Sequence, residues 1–132
     1  MKLGFLAACA LVLSATPISS QEQARQPLSF NLECPSADCP LLRGTPQTTG
    51  MRSGFVRLKP GQSVGWHSTR EQEETLVVLL GGGKAEIEGR DALPISARML
   101  VYIPPNSRHN VTNTGTERLE YVYVVAPISS AH

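Results

Sequence analysis

The stretch GQSVGWHSTREQEETLVVLLG, residues 61–81, contains two runs that are typical of short β-strands. They lie at 63–69 and 76–80, and the polar residues at 70–73 between them predict a turn to a neighbouring strand that starts near Glu74. Residues i and i+2 of a strand share a face, so His67 and Thr69 are predicted to point to the same side. Glu73 and Glu74 are consecutive, so only one of them can face the interior. The stretch therefore predicts two short strands that bring a histidine and a carboxylate together.

The same pattern continues on both sides of this stretch. Further short apolar or alternating runs lie at 55–58, 84–88, 99–103 and 119–125. Sequences rich in glycine, proline and asparagine separate them, as expected for tight turns. After Ser53 no long helical periodicity competes with this pattern. Many short strands at regular spacing predict an all-β sandwich or barrel.

Residues 61–81 also resemble the first sequence motif of the cupin family. That motif is Gly, five residues, His-x-His, three or four residues, Glu, six residues, Gly. Gly61, His67, Glu74 and Gly81 occupy its fixed positions, and Thr69 stands where the motif has its second histidine. The spacing to Gly81 selects Glu74, rather than the residue before it, as the carboxylate of the motif.

Residues 104–113 resemble the second cupin motif, which is Pro-x-Gly, two residues, His, three residues, Asn. Pro104, His109 and Asn113 match it, and Asn106 stands at the glycine position. Asparagine there keeps access to a positive φ. The glycine that opens this motif in the family is replaced by Arg98. The two motifs together extend the resemblance over residues 53–125.

The resemblance implies an antiparallel double-stranded β-helix, the jelly-roll or cupin barrel, that holds one divalent metal ion. Its protein ligands would be His67, Glu74 and His109, a set that suits Fe(II) and accepts Mn, Ni, Zn or Cu. Four further residues are candidates to line the site: Thr69, Asn113, Tyr121 and Tyr123. For the two tyrosines, packing in the core is the alternative interpretation.

The family resemblance leaves two classes of function open. Cupins include dioxygenases, isomerases and lyases as well as non-catalytic binding proteins, so the fold does not name a reaction. One hypothesis is a metal-dependent enzyme acting on a small molecule. The other is a barrel that binds a metal or small ligand without catalysis. Thr69 is compatible with a three-ligand site that has an extra open position, and equally with a site that has weakened or been lost.

The first twenty residues have the layout of a secretory signal peptide. Lys2 precedes an apolar run at 3–13, and a polar break at 14–20 offers a cleavage site near Ser20. The run is too short for a bilayer span, which takes about 20 residues. An uncleaved helix and a lipoprotein signal that ends before Cys9 are the alternatives. The expected organisation is a signal peptide at 1–20, an N-terminal arm at 21–52 and a barrel at 53–132, in an exported protein of the periplasm or the extracellular space.

The arm is polar and rich in proline and glutamine, with a strand-like segment at 28–32. The resemblance implies that this segment could add to the sheet of a second copy in a homodimer. The arm also contains Cys34 and Cys39 on a proline-rich loop. In an oxidising compartment this pair predicts a local disulfide, and a redox-active or metal-binding pair is the alternative.

The charge of the chain does not indicate a charged polymer as partner. Lys and Arg number 12 against 11 Asp and Glu, and neither sign forms a long run. A sequence with this balance of charges does not indicate the basic patch by which proteins bind nucleic acids. The expected partner is a small molecule, with no nucleic acid and no membrane contact for the mature form.

Overall fold

The computed structural model describes residues 25–128. The predicted signal peptide at 1–20 and the last residue, His132, lie outside this range. Within it the chain forms nine β-strands and no helix, so no helix there is suited to crossing a membrane. The strands are β1 (Asp38–Arg43), β2 (Arg52–Leu58), β3 (His67–Ser68), β4 (Glu73–Leu80), β5 (Gly82–Ile87), β6 (Leu93–Ser96), β7 (Leu100–Ile103), β8 (Arg108–Thr112) and β9 (Leu119–Ala126).

The strands form two antiparallel sheets that share one core. One sheet has the order β1-β2-β9-β4-β7, and the other has the order β3-β8-β5-β6. Both contribute to a cluster of buried side chains: Val56, Leu58, Leu76, Val78, Ala85, Ile87, Ile95, Val101, Ile103, Val111, Leu119 and Tyr121. The all-β class predicted from the sequence is confirmed.

The alternation of side chains explains how each strand joins this core. Val56 and Leu58 of β2 are both buried, as are Leu76 and Val78 of β4. Residues two apart on a strand point to the same face, so each pair enters the core together. Burying one such side chain stabilises the fold by about 1.5–3 kcal/mol.

The predicted strands agree with the structure in part. The runs at 55–58, 76–80, 84–88, 99–103 and 119–125 each overlap a strand, but the run at 63–69 does so only at His67–Ser68. The strand predicted at 28–32 is wrong, because this segment takes part in no ladder. β8 does not overlap any of these runs. β1 and β6 have no counterpart among the predictions either. Each is an edge strand containing a proline, Pro40 or Pro94, whose missing N–H is tolerated there.

Two motif positions that lack glycine keep a left-handed backbone. Asn106 has φ 57°, as its place in the second motif predicts, and Arg98 has φ 73°. The N–H of Arg98 donates to the carbonyl of Val78 at 2.9 Å. Gly81 has φ 74°, and a side chain there would collide with the backbone carbonyl of Arg118. The chain thus keeps the turns of both motifs although it has lost two of their glycines.

β3 and β4 belong to different sheets, which corrects the expectation that they are neighbouring strands. The turn between them is closed by Thr69 and Gln72. The N–H of Gln72 donates to the Thr69 carbonyl at 3.2 Å, and the Thr69 hydroxyl donates to the Gln72 carbonyl at 3.1 Å. The turn carries the chain from one sheet to the other, so His67 and Glu74 approach each other from opposite sheets.

The segment that the sequence assigns to an arm contributes a strand to the barrel. β1 pairs with β2 at one edge of the five-stranded sheet. The predicted disulfide between Cys34 and Cys39 is present, with 6.0 Å between the two Cα atoms. Nη1 of Arg57 donates to the Cys34 carbonyl at 2.8 Å. These contacts hold the start of β1 against the barrel.

Candidate metal centre

His67 and His109 face each other across the β3–β8 pair. Their Cα atoms are partners in the strand register, and their ring centroids lie 4.3 Å apart with an angle of 61° between the planes. His67 lies on an edge strand and is exposed, whereas His109 is only 1% exposed. The pair therefore extends from the protein surface into its interior.

The same kind of backbone contact orients both imidazole rings. Nδ1 of His67 lies 2.8 Å from the Gly65 carbonyl oxygen, and Nδ1 of His109 lies 3.0 Å from the Ser107 carbonyl oxygen. A carbonyl oxygen only accepts hydrogen bonds, so each Nδ1 carries a proton and donates it. In its neutral form, each ring then has a free lone pair on Nε2. That is the form in which histidine binds metals, with its second nitrogen held by an outer partner.

Glu74 completes the group from the opposite sheet. It lies near the start of β4, between Ile103 of β7 and Val125 of β9 in the strand register, and is 5% exposed. Its Oε2 atom is 3.1 Å from Nε2 of His109. Both atoms are buried, and neither has a hydrogen-bond partner of good geometry within residues 25–128. Buried polar atoms without hydrogen bonds are rare, so this pair calls for a ligand.

Opposing effects of the surroundings determine the pKa of His109. Burial acts to lower the pKa of His109, but the carboxylate of Glu74 and the carbonyl of Ser107 outweigh it, and the pKa is raised above its usual value. A proton on this ring would therefore compete with a cation for Nε2.

The three side chains fit a divalent metal ion. One ligand atom from each of His67, Glu74 and His109 lies within 4.8 Å of the others. Two imidazoles and one carboxylate form the facial set found in sites that leave positions open for other ligands. Oε2 of Glu74 and Nε2 of His109 are 3.1 Å apart, close enough to be two ligand atoms of one ion. The arrangement could hold one metal ion.

A cavity of about 520 Å³ adjoins this group and is lined by all three side chains. Pockets of this size hold small molecules. Among the residues that the sequence marks as site-lining, Thr69, Tyr121 and Tyr123 border the cavity. His67 and Glu74 therefore share one cavity with the side chain that replaces the family's second histidine.

Asn113 does not line the cavity, contrary to the expectation from its motif. It is fully buried, and its Nδ2 atom donates to the carbonyls of Leu58 at 2.9 Å and Glu117 at 2.7 Å. Its Oδ1 atom accepts from the N–H of Gly115 at 2.9 Å. Asn113 therefore organises the turn that leads into β9, and has no free polar atom for a ligand.

The two tyrosines both line the cavity and pack against the core, the two roles that the sequence leaves open. Tyr121 belongs to the core cluster and also borders the cavity. Burial raises the pKa of Tyr121 and of Tyr123, so both hydroxyls keep their protons. Tyr123 lies against Gly54, where an added Cβ would be 2.5 Å from the tyrosine oxygen. The missing side chain at position 54 gives this ring its place in the cavity wall.

A polar network on the outside of the four-stranded sheet supports the His67 segment. Oδ1 of Asn110 accepts from the N–H of Gly65 at 3.0 Å, and its Nδ2 donates to Glu86 at 2.9 Å. The Thr112 hydroxyl donates to the same carboxylate oxygen at 2.9 Å. Gly65 also supplies the carbonyl that orients His67. Asn110 is therefore a positioning residue for this candidate ligand.

Sequence reasoning missed four polar residues that border the cavity. They are Asp38, Arg43, Arg52 and Ser68. Strand alternation could have identified Arg52, because it precedes the inward-facing Gly54 and Val56 by two and four positions. Nothing comparable marked Asp38 and Arg43, since their strand β1 was not predicted.

The comparisons with known proteins concern the family and the fold. The model of the cupin domain matches residues 54–125. A solved structure from Klebsiella pneumoniae, of an uncharacterised conserved protein with a double-stranded β-helix domain, has a TM-score of 0.64 and 21% identity. It covers 80% of this chain and 95% of that one. The double-stranded β-helix expected from the sequence is therefore confirmed.

Two curated relatives match in sequence. Polyketide synthase CurC from Streptomyces cyaneus is 31% identical over 88 residues, which cover 64% of this chain and 56% of CurC. An oxalate-binding protein from Thermotoga maritima is 36% identical over 73 residues, which cover 54% of this chain and 60% of that protein. The chain thus spans less than two thirds of the length of either relative.

Proposed function

This chain belongs to the cupin family, and from that premise we propose that it is a metal-dependent enzyme acting on a small molecule. His67, Glu74 and His109 would hold one divalent ion, and the cavity beside them would hold the substrate. Reactions of the dioxygenase, isomerase or lyase type are the candidates. The fold alone does not choose among them.

One observation carries the proposal. Oε2 of Glu74 and Nε2 of His109 are buried 3.1 Å from each other, make no well-formed hydrogen bond within residues 25–128, and border a cavity large enough for a small molecule. A purely structural ion would be enclosed by protein ligands, whereas catalytic sites keep positions open. Three ligands beside a cavity correspond to the second case.

Each residue of the site has a separate part in this proposal. A bound divalent ion would supply Lewis-acid polarisation of a substrate oxygen, or a place at which O₂ binds. The carbonyls of Gly65 and Ser107 hold the two imidazoles in the tautomer that ligates. The protonated hydroxyls of Tyr121 and Tyr123 can donate hydrogen bonds to a substrate in the cavity.

A second candidate function is a barrel that binds its ligand without catalysis. Apart from Glu74, Asp38 is the one carboxylate that borders the cavity within residues 25–128. The two tyrosines have raised pKa values and are poor bases at neutral pH. The cavity therefore offers few groups for acid–base catalysis, which favours binding.

Export and dimerisation remain proposals. The Cys34–Cys39 disulfide supports an oxidising compartment, where such bonds persist. Leu28, Phe30 and Leu32 are exposed on a segment without strand pairing, and they support a homodimer formed through that segment. A monomeric mass in light scattering at high protein concentration would contradict the dimer.

The metal is tested by elemental analysis of protein purified without a metal-affinity tag. We expect about one equivalent of Fe, Mn, Ni, Zn or Cu per chain, and none in the His67→Ala, His109→Ala double variant. His132→Ala is the matched control and should retain the metal. Absence of metal from the wild type, even after reconstitution with each ion, would contradict the proposal.

The metal-loaded protein then separates the two candidate functions. Small molecules that bind the wild type are incubated with the metal-loaded protein, with and without O₂. Mass spectrometry then detects whether they are converted to products. Conversion that the double variant lacks supports the enzyme. Saturable binding without conversion supports the non-catalytic barrel.

A further inference from the structure

Two arginines lie in the same cross-strand row as Glu74. In the strand register Arg43 is opposite Arg52, Arg52 is opposite Val125, and Val125 is opposite Glu74. Side chains directly opposite each other in a sheet share a face. Arg43, Arg52 and Glu74 are accordingly all found in the wall of the same cavity.

This row places the arginines near the candidate metal centre. Neighbouring strands lie about 4.8 Å apart, so the backbone of Arg52, two strands from Glu74, is roughly 10 Å away from it. Nη2 of Arg52 donates to Oε1 of Gln72 at 2.8 Å. Gln72 closes the turn with Thr69, which also borders the cavity. The guanidinium is thereby held on the side of the cavity where Thr69 replaces a histidine.

The charges of these arginines are not neutralised by any carboxylate of residues 25–128. Neither Arg43 nor Arg52 has a carboxylate within 4.0 Å in the described part of the chain, whereas Arg57, Arg108 and Arg118 are each paired with a glutamate. Like charges directly opposite each other in a sheet are destabilising. Both arginines are exposed, so solvent screens part of this repulsion, and an anionic ligand would supply the counter-charge that the described residues do not.

A second cavity adjoins the first at this point and strengthens the case. The two share Arg43, Arg52, Ser68 and Thr69 in their walls. The second cavity also includes Arg70, and no acidic side chain borders it. Arg43, Arg52 and Arg70 therefore all border the space on this side of the candidate metal centre.

The acidic residues of the first cavity do not cancel this charge. Asp38 lies at the other end of β1 from Arg43, about 16 Å along the strand. Glu74 is the carboxylate assigned to the metal ion. The two arginines also precede residues 54–125, the segment that matches the cupin domain, so they are a feature of this chain rather than of the family motifs.

We propose that the cavity takes a small organic oxyanion whose carboxylate or phosphate group is bound by Arg52 and Arg43, while the rest of the molecule extends towards His67, Glu74 and His109. Binding of the anion by the arginines stands without the proposed function. Only the extension of the molecule towards His67, Glu74 and His109 rests on it. Arginine suits the role because its planar guanidinium binds carboxylate and phosphate groups with two hydrogen bonds. The protonated hydroxyl of Tyr123 borders the same cavity as a further donor.

The test compares an anion with its neutral isostere. Succinate, succinamide and inorganic phosphate are titrated by calorimetry into the wild type, Arg43→Gln, Arg52→Gln and the double variant, each at constant ionic strength. Arg90→Gln is the matched control, because it removes the same charge from a residue that borders neither cavity. Arg52→Lys keeps the charge without the planar fork.

We expect the wild type and Arg90→Gln to bind succinate or phosphate at least about tenfold more tightly than succinamide. The preference should fall to near unity in the double variant and be intermediate in Arg52→Lys. Phosphate binding more tightly than succinate would identify a phosphate ester as the ligand class, and the reverse a carboxylate. Equal binding of succinate and succinamide by the wild type, or an undiminished preference in the double variant, would overturn the inference.

The same samples distinguish this inference from the proposed function. Every titration is run on metal-loaded and metal-free protein, with the metal content measured. If the metal-loaded protein binds the anion no more tightly than its neutral isostere, the arginine site is contradicted and the metal-dependent function is not. An arginine-dependent preference in protein that never binds metal supports the arginine site and contradicts the metal-dependent function.

Discussion

Nε2 of His109 and Oε2 of Glu74 lie 3.1 Å apart although the two residues belong to different sheets. His67 reaches the same group from β3, the strand paired with β8. An ion held by all three residues would link the two sheets through direct bonds. Metal binding and the stability of the barrel should therefore be coupled.

Metal ions are expected to raise the unfolding temperature of the protein. An ion present at 100 times its dissociation constant adds about 2.7 kcal/mol to the folded state. For a domain of this size that corresponds to roughly 10–20 °C. Circular dichroism melting curves with added metal and with chelator measure the shift. The His67→Ala, His109→Ala variant should show none, and a shift of equal size in that variant would place the ion elsewhere.

Thr69→His is expected to strengthen metal binding. Thr69 borders the cavity with His67, and its hydroxyl donates to the Gln72 carbonyl. An imidazole at this position would add a fourth ligand and lower the dissociation constant by at least about tenfold, which is 1.4 kcal/mol. Competition titration with a coloured chelator measures the change. Thr69→Ala should keep the wild-type affinity, and a Thr69→His variant with that same affinity would show that residue 69 cannot reach the ion.

Asn110→Ala is expected to weaken metal binding although Asn110 is not a candidate ligand. The variant removes the acceptor for the N–H of Gly65, whose carbonyl orients His67. Loss of such supporting contacts costs about 10- to 100-fold in metal affinity. Glu88→Gln is the control, because it breaks only the exposed ion pair with Arg108. The same loss of affinity in both variants would point to general destabilisation instead.

The candidate ligands could be predicted because their signals are local. The spacing from Gly61 through His67 to Glu74 lies within one stretch of chain, and His109 follows its own motif. Strand alternation then shows which side chains share a face. The prediction that His67 and Glu74 lie on neighbouring strands was wrong, because alternation does not specify which sheet a strand joins.

The arginine row could not be predicted for a different reason. β1 joins the sheet through pairing with β2, and a register shift between Pro40 and Leu42 interrupts its alternation. Without that strand, nothing in the sequence places the exposed Arg43 beside the cavity. The position of Asn113 was likewise mispredicted, because its motif does not reveal that Leu58 and Glu117 offer carbonyls to its amide.

Gly54→Ala is expected to destabilise the protein by about 1–3 kcal/mol, as overpacking commonly does. The added methyl group would lie 2.5 Å from the oxygen of Tyr123, so the ring must shift from its position in the cavity wall. Chemical denaturation measures the change in the free energy of unfolding. A second Tyr123→Leu substitution should recover most of the loss relative to Tyr123→Leu alone. An unchanged penalty in that background would show that Tyr123 is not the cause.

The shortness of β3 bears on how quickly the site could exchange its ion. Glu74 and His109 are buried on strands paired along their length, whereas His67 lies on a two-residue edge strand with one neighbour. Few backbone hydrogen bonds must break for His67 to swing outward, so this motion lies at the low end of the local opening energies. The rate of metal entry and release would then be governed by the edge of one sheet, without any opening of the core.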